Sequence, residues 1–251
     1  MTLAIDGCAW VHVLYHGRGG VEVIPAFQSW IEAAVRHIRP SRVLVCFDRR
    51  SFRYDLLPGY KAGRKARPGE LEEALAAAPG ACFPHAAIAE DGFEADDCLA
   101  TVAALGRSMG EKVVIASPDK DLRQCLVAGA VTILRGFRTW QGALSEPDWF
   151  SAWRLEKECG VRPSQWADYQ ALVGDPTDGI AGCPGWGDVT ARKCLAAFGS
   201  LQAILDNPWK LPITTKQRLA LEAFRPAVPL TLQLVTLRTD VPVAVALLQA
   251  A

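Results

Sequence analysis

Residues 43–48 read Val43-Leu44-Val45-Cys46-Phe47-Asp48. A short apolar run with no polar alternation is the pattern of a strand buried on both faces, as in a parallel sheet. It closes on a carboxylate. The same pattern opens the chain, where Leu3-Ala4-Ile5 is closed by Asp6. It recurs at Val113-Val114-Ile115-Ala116, with Asp119 and Asp121 just beyond. Residues 131–134 give a further strand signal. Between the first two runs, Phe27, Ile31, Val35 and Ile38 recur at helical spacing behind Pro25. That predicts a helix over roughly 25–38. A second helix is predicted over 94–109, with Leu99, Val102, Ala103 and Leu105 inside and Gly110 as its stop. Strand–helix–strand alternation predicts an α/β fold, a central and mostly parallel sheet with helices on both faces.

In open sheets of this kind the carboxyl ends of the strands form the ligand crevice. Three strands would each deliver a carboxylate to that rim. Glu94-Ala95-Asp96-Asp97 adds more at a helix start, and Asp175 and Asp178 follow later in the chain. Two carboxylates ~4 Å apart repel by about 4 kcal/mol at an effective dielectric of 20. A dense cluster of them therefore needs cations. Oxygen-only donors point to Mg²⁺ or Mn²⁺. Two such ions ~4 Å apart can clamp the attacking and leaving oxygens of a phosphodiester. A metal-dependent nuclease is the first expectation.

Other classes are set aside by composition. The chain has 251 residues, enough for one core or a core plus a smaller lobe. Half of it is hydrophobic, which argues against disorder. No apolar stretch is long and uncharged enough to span a bilayer. The N-terminal run lacks a basic n-region and meets Asp6 at once, so it reads as a first strand rather than a signal peptide. A cytoplasmic monomer is expected. The eight cysteines include no C-x-x-C pair and most sit in apolar runs. They read as small buried hydrophobes in a reducing compartment. His12, His16, His37 and His85 suggest no ligand set.

The net charge is zero, but its distribution is uneven. Between Arg36 and Arg67 stand Arg36, Arg39, Arg42, Arg49, Arg50, Arg53, Lys61, Arg64, Lys65 and Arg67, opposed only by Asp48 and Asp55. A basic segment beside an acidic pocket suits a polyanion held over metals. A solvated charged surface is the plainer alternative for the run alone. Pro58-Gly59, Gly63 and Pro68-Gly69 make residues 49–69 read as a mobile loop. Within it Lys61 and Arg64 could hold a scissile phosphate, and Tyr60 could stack on an unpaired base. A short Ala-rich helix is expected over 70–78, ended by Pro79-Gly80.

From about residue 145 the pattern turns helical. Residues 163–173 read as a helix. Gly174, Gly179, Gly182, Gly185 and Gly187 then punctuate a turn, and Asp188 could cap a helix through Phe198. This resembles a helix–hairpin–helix, whose backbone N–H groups can take a DNA phosphate without reading sequence. Capping glycines of an ordinary hairpin are the alternative. Trp186 is a candidate DNA contact, whereas Trp10 and Trp30 read as core. After residue 200 the pattern is less informative, with helical segments expected near 200–206 and 214–224. Alone, Asp175-Pro176-Thr177-Asp178-Gly179 is turn chemistry, and Glu94 with Asp97 could be a helix cap. Three carboxylates in four residues exceed what a cap needs.

Taken together, these residues resemble a known family. Asp6-Gly7, Phe47-Asp48, Ser51-Phe52-Arg53, Tyr60-Lys61-Ala62-Gly63-Arg64, Phe93-Glu94-Ala95-Asp96-Asp97, Pro118-Asp119-Lys120-Asp121-Leu122 and Leu172 through Gly187 are similar, in order, to the motifs of the 5′ nucleases. These include the 5′–3′ exonuclease domain of bacterial DNA polymerase I and stand-alone flap endonucleases. The resemblance implies a PIN-like core over 1–144, with a basic helical arch within 49–92. It implies a helical region over 145–251, with the helix–hairpin–helix at 163–199. Asp6, Asp48, Glu94, Asp96, Asp97, Asp119 and Asp121 would hold the nearer metal, and Asp175 and Asp178 a second. Lys61 and Arg64 would engage the scissile phosphate at the arch base, with Arg53 nearby. Gly182, Gly185, Trp186 and Gly187 would meet duplex DNA, and the hairpin would take K⁺ through its carbonyls. The implied activity is 5′–3′ exonuclease or flap endonuclease on DNA, leaving a 5′-phosphate and a 3′-hydroxyl. No polymerase region follows, so a stand-alone enzyme is expected. A non-catalytic DNA-binding protein and an RNA-directed nuclease are the alternatives. The family commonly has Asn where Gly179 stands, Lys where Pro184 stands and an aliphatic residue where Trp186 stands. Its arch helix continues where Pro79-Gly80 interrupts this one.

Overall fold

The computed structural model describes residues 1–140 and 142–243; residues 244–251 of the expected C-terminal region lie outside the described residues. In chain order the elements are β1 (Thr2–Asp6), α1 (Gly7–Arg18), α2 (Val23–Ile38), β2 (Arg42–Cys46), α3 (Arg53–Leu56) and α4 (Gly69–Ala77). Next come β3 (Ala86–Ile88), α5 (Ala95–Ser108), β4 (Val113–Ala116), β5 (Val131–Trp140) and β6 (Ala143–Phe150). The remainder is α6 (Ala152–Cys159), α7 (Trp166–Val173), β7 (Gly174–Asp175), β8 (Ile180–Ala181), α8 (Asp188–Phe198), α9 (Leu201–Asp206), α10 (Thr215–Phe224) and α11 (Val228–Val235). Two units emerge. The first holds Met1–Ser51, Ala66–Ser151 and the described residues from Arg238 onward; the second holds Phe52–Lys65 and Ala152–Leu237.

The first unit is built on one sheet of order β3-β2-β1-β4-β5-β6. Strands β3 to β5 run parallel in that order, and β6 is antiparallel to β5. Every residue of β1 and β4 is buried, as their unalternating sequence requires. Leu3, Ile5, Val43, Val45, Val114 and Ala116 point to one face and join Trp10, Phe27, Ile31 and Leu71 in the main core. Helix α5 packs on β1, β2 and β4 across the other face, with Cys98, Leu99 and Val102 fully buried. Each buried aliphatic side chain contributes about 1.5–3 kcal/mol of transfer free energy.

In the first unit, helix α1 and strands β3 and β6 escape the sequence reading. Helix α1 starts one residue after β1 with no punctuation, its first turn capped by Asp6, whose Oδ1 accepts from Ala9 N at 2.9 Å. Strand β3 is only three residues long. Strand β6 carries Glu146, Pro147 and Asp148 on an edge, where alternation is weak. It also carries the first unit past the expected boundary at residue 144. The expected arch is divided between the units. Helix α4 lies against α1 and α2, with Leu71, Ala74, Ala78 and Cys82 in the core. Apolar residues at 71, 74 and 78 follow helical spacing, so this face is buried rather than presented.

The second unit is helical. Helix α7 packs on α8, α9 and α11, burying Trp166, Ala171, Leu172, Cys194, Leu195, Leu201 and Leu234. Gln165 is buried, and its Nε2 donates to the carbonyls of Leu195 and Gly199, both at 2.9 Å. Leu195 O also accepts from Gly199 N at 2.8 Å, so Gln165 adds a second donor there and supplies one to Gly199 O at the end of α8. Strands β7 and β8 form a small antiparallel hairpin after α7. A side chain on Gly174 or Gly182 would collide with the other strand's backbone, so these glycines serve close backbone packing. Asp188 is the first residue of α8, and Gly187 rather than Asp188 is its N-cap.

Candidate metal centre and basic segment

Register brings the acidic ends of the strands level. Asp6 pairs with Cys46 and Ile5 with Ala116, so the last residues of β1, β2 and β4 form one rim. Asp6 is almost buried there. Its Oδ2 accepts from Ser117 Oγ at 2.7 Å, and Ser117 Oγ in turn accepts from Asp119 N at 3.1 Å. Asp119 Oδ1 accepts from Asp121 N at 2.8 Å, which fixes the turn after β4. Asp48, exposed, accepts at Oδ1 from Ala95 N at 2.9 Å and so ties the end of β2 to the start of α5. Ser117 was not among the expected residues. Its signal was position alone, since it directly follows a rim strand.

Electrostatics show that these acids converge. Burial first, then the charges of Asp119, Asp6, Asp121 and Asp48, push the Asp96 carboxyl well above the usual carboxylate range. Burial pushes Asp6 up to about 7, with Asp48 and Asp119 adding to it and hydrogen bonds from Ala9 and Ser117 opposing it. Asp6, Asp48, Asp96, Asp119 and Asp121 thus share one field within the first unit. An all-oxygen donor set of this kind fits hard divalent cations, whose charge would offset the repulsion. The neighbouring thiol of Cys8 is also driven up, by burial and then Asp48 and Asp6, so it stays protonated at neutral pH.

Asp97 requires a correction. It is fully buried, and both oxygens face backbone N–H groups: Oδ2 accepts from Glu94 N at 3.2 Å and Oδ1 from Arg238 N at 2.9 Å. Glu94 reciprocates by accepting from the Asp97 backbone, which completes a capping box at the start of α5. The helix cap weighed against metal binding is therefore present, and Asp97 serves it. The sequence could not reveal Arg238 as its second partner, 141 residues away.

In the second unit Asp175 and Asp178 are both buried at the β7–β8 hairpin. Asp175 Oδ1 accepts from Thr177 N at 2.9 Å, as its turn chemistry predicts. Asp178 accepts from Tyr60 Oη at 3.1 Å and from Arg64 Nη2 at 2.5 Å, and Lys61 Nζ lies 3.8 Å away. Lys61 and Arg64 are thus brought together on a carboxylate.

Other expected contacts are placed differently. Tyr60 is 3% exposed and packs edge-on against Tyr54, so its ring is not open to a base. Arg53 is 2% exposed, with Nε donating to Leu234 O at 2.8 Å and Nη2 to Thr236 O at 3.2 Å. It anchors the segment instead of facing DNA. Trp186 is 2% exposed, and its Nε1 donates to Gln217 O at 3.0 Å. Gly185 O accepts from Gln217 Nε2 at 3.2 Å. The basic run is not one stripe, since Arg42 pairs with Glu111 and Arg36 with Glu32.

Known proteins share this fold. Residues 2–153 match the family model of the 5′-3′ exonuclease N-terminal resolvase-like domain, and residues 161–251 that of the 5′-3′ exonuclease C-terminal SAM fold. The chain is 33% identical to the thermostable DNA polymerase I of Thermus aquaticus, over 97% of its own length and 29% of that protein. It is 35% identical to DNA polymerase I of Mycobacterium leprae, over 76% of its length and 21% of that protein. The chain therefore spans less than a third of these polymerases. Its fold is similar to that of the T5 5′-exonuclease with bound divalent zinc, at 21% identity and a TM-score of 0.79, covering 95% of this chain and 90% of that one. It is also similar to the catalytic core of Rad2 in complex with DNA substrate, at 15% identity and a TM-score of 0.60, covering 95% and 79%. These likenesses show a mixed, mostly parallel sheet of the resolvase-like type followed by a helical SAM-like region. The match of both models along the chain makes it a member of the 5′-3′ exonuclease family.

Proposed function

We propose that this chain is a divalent-metal-dependent 5′ nuclease that hydrolyses DNA near a free 5′ end or flap. The observation that carries this reading is the acidic rim at the ends of β1, β2 and β4, where Asp6, Asp48, Asp119 and Asp121 are held by hydrogen bonds beside the start of α5 and Asp96. Such a field opposes any polyanion unless cations occupy it. We assign Asp6, Asp48, Glu94, Asp96, Asp119 and Asp121 to the nearer metal site and Asp175 and Asp178 to a second. Oxygen donors favour Mg²⁺ or Mn²⁺ over softer ions. Bound there, the ions would stabilise charge on the attacking and leaving oxygens of the phosphodiester.

The chain's own groups do the rest. Ser117 holds Asp6 in one orientation by hydrogen bonding, and Asp119 fixes the turn that presents Asp121. Lys61 and Arg64 supply positive charge for the scissile phosphate. Gly182, Gly185 and Gly187 line the turn before α8, whose N-terminal N–H groups suit a duplex phosphate. A K⁺ at this turn would compete with Gln217 for the Gly185 carbonyl. We place the α/β nuclease core before residue 152, so that it includes β6, and the helical region, which adds Asp175 and Asp178 and holds DNA, after it. We further propose a monomer acting in the cytoplasm. Among the described residues no helix is long and apolar enough to cross a membrane.

The test is incubation of the purified chain with 5′-labelled flap duplexes, in DNA and matched RNA, with and without Mg²⁺ or Mn²⁺. Metal-dependent release of a short 5′ product from the DNA flap, absent in Asp96→Asn, is the expected result. Binding without cleavage under either metal would turn the assignment to a structure-specific DNA-binding protein.

A further inference from the structure

Asp178 and the segment packed on it carry an inference that rests on the nuclease reading above. The Asp178 side chain is only 10% exposed. Three donors from one short segment close on it. Tyr60 Oη donates at 3.1 Å, Arg64 Nη2 at 2.5 Å, and the Lys61 ammonium stands 3.8 Å off. The backbones touch as well, since Lys61 N donates to Asp178 O at 3.0 Å. A Cβ on Gly179 would come within 2.8 Å of the Gly59 carbonyl, and Gly179 has φ +73°. Glycine alone admits that approach. Lys61 itself sits at φ +57°, a left-handed conformation that side chains with a Cβ avoid. Strain of this kind persists where the surroundings over-determine it, and it gathers at functional positions.

The arrangement has an electrostatic consequence. A carboxylate already faced by two cations is a poor ligand for a divalent ion. Conversely, Lys61 and Arg64 seated on Asp178 are withheld from a phosphate. Asp178 can serve the two cations or a metal, but not both at full strength. We propose that Asp178 is the shared counter-ion of an exchange latch. Lys61 and Arg64 rest on it, and a divalent cation that takes the carboxylate releases them toward the substrate phosphate. Loading of the second metal and arming of the basic pair are then one event. Because coupling is reciprocal, weakening the latch must tighten the metal.

Two measurements on the full chain test this without cleavage. The first is Mn²⁺ binding followed by electron paramagnetic resonance. Arg64→Gln should bind Mn²⁺ more tightly than the wild type at one site, by at least about five-fold, the lower end of ordinary coupling. Lys61→Gln should do the same and replaces it if Arg64→Gln does not fold. The second uses the unmodified chain: acylation of Lys61 by an amine-reactive ester, read by mass spectrometry, should speed up when Mn²⁺ is added. Unchanged or weaker Mn²⁺ binding in both variants, or an unchanged or slower Lys61 reaction, overturns the latch. Absence of Mn²⁺ binding in wild type and variants alike overturns it too. The nuclease reading fails separately. A chain that shows both effects but never cuts a flap keeps the latch and loses the activity. A chain that cuts but shows neither effect keeps the activity and loses the latch.

Discussion

Asp96 and Asp97 are neighbours with opposite burdens, and substitution separates them. Asp96 sits among four other acids, which hold its carboxyl above the ordinary range after burial has raised it. Asp97 gives each oxygen to a backbone N–H. Asp96→Asn should abolish metal-dependent cleavage yet raise the metal-free stability at pH 8, because it removes a carboxyl whose charged form burial and four neighbouring acids disfavour. Asp97→Asn should act the other way round on stability. An amide offers one acceptor oxygen and turns its NH₂ toward a donor, leaving a buried N–H unpaired at a cost of about 2–3 kcal/mol. Urea unfolding of the two variants in the presence of a chelator reads both signs. Equal destabilisation by the two would show that Asp97 is not the structural member of the pair.

At the level of elements, legibility in the sequence follows how local the cause is. The rim strands and α2 and α5 are set by patterns within a dozen residues, and their acidic ends follow from the parallel sheet. Hence the convergence of Asp6, Asp48, Asp96, Asp119 and Asp121 is legible in the order of residues alone. The hairpin before α8 is different. Its glycines look like phosphate contacts, but Gly174 and Gly182 are there because two backbones pass too closely for a Cβ. Trp186 looks exposed between glycines, yet it is buried and bonded to Gln217 of α10, 31 residues on. The same limit hid Arg238 from Asp97 and Leu234 from Arg53. Trp186→Ala should therefore cost about 3–5 kcal/mol as a large cavity in the helical unit. Conservative Trp186→Phe should cost much less, losing the Nε1 bond but keeping most of the packing. If Trp186→Ala instead leaves the unfolding midpoint intact and weakens only duplex binding, the ring is a DNA contact after all.

For the whole molecule, the buried acids make folding, pH and metal one linked equilibrium. Asp6 titrates near 7 in the folded chain against an ordinary value of 3.8. Between those values the folded state binds more protons than the unfolded state, so stability falls as pH rises. The contribution is fully present below about pH 4 and is lost as pH climbs through 7. Asp96, raised as well, extends the loss in the same direction. A divalent cation binds the deprotonated set, so binding releases protons and stabilises more strongly at higher pH. The melting temperature of the chelated chain should therefore drop between pH 5 and pH 8 more than it does with Mg²⁺ present. The gap between the two curves should widen across that interval. In weak buffer near pH 6.5, adding Mg²⁺ should acidify the solution, and Asp6→Asn should release fewer protons. Parallel melting curves with no proton release would mean that no cation engages the rim, and the carboxylate field would then need another explanation.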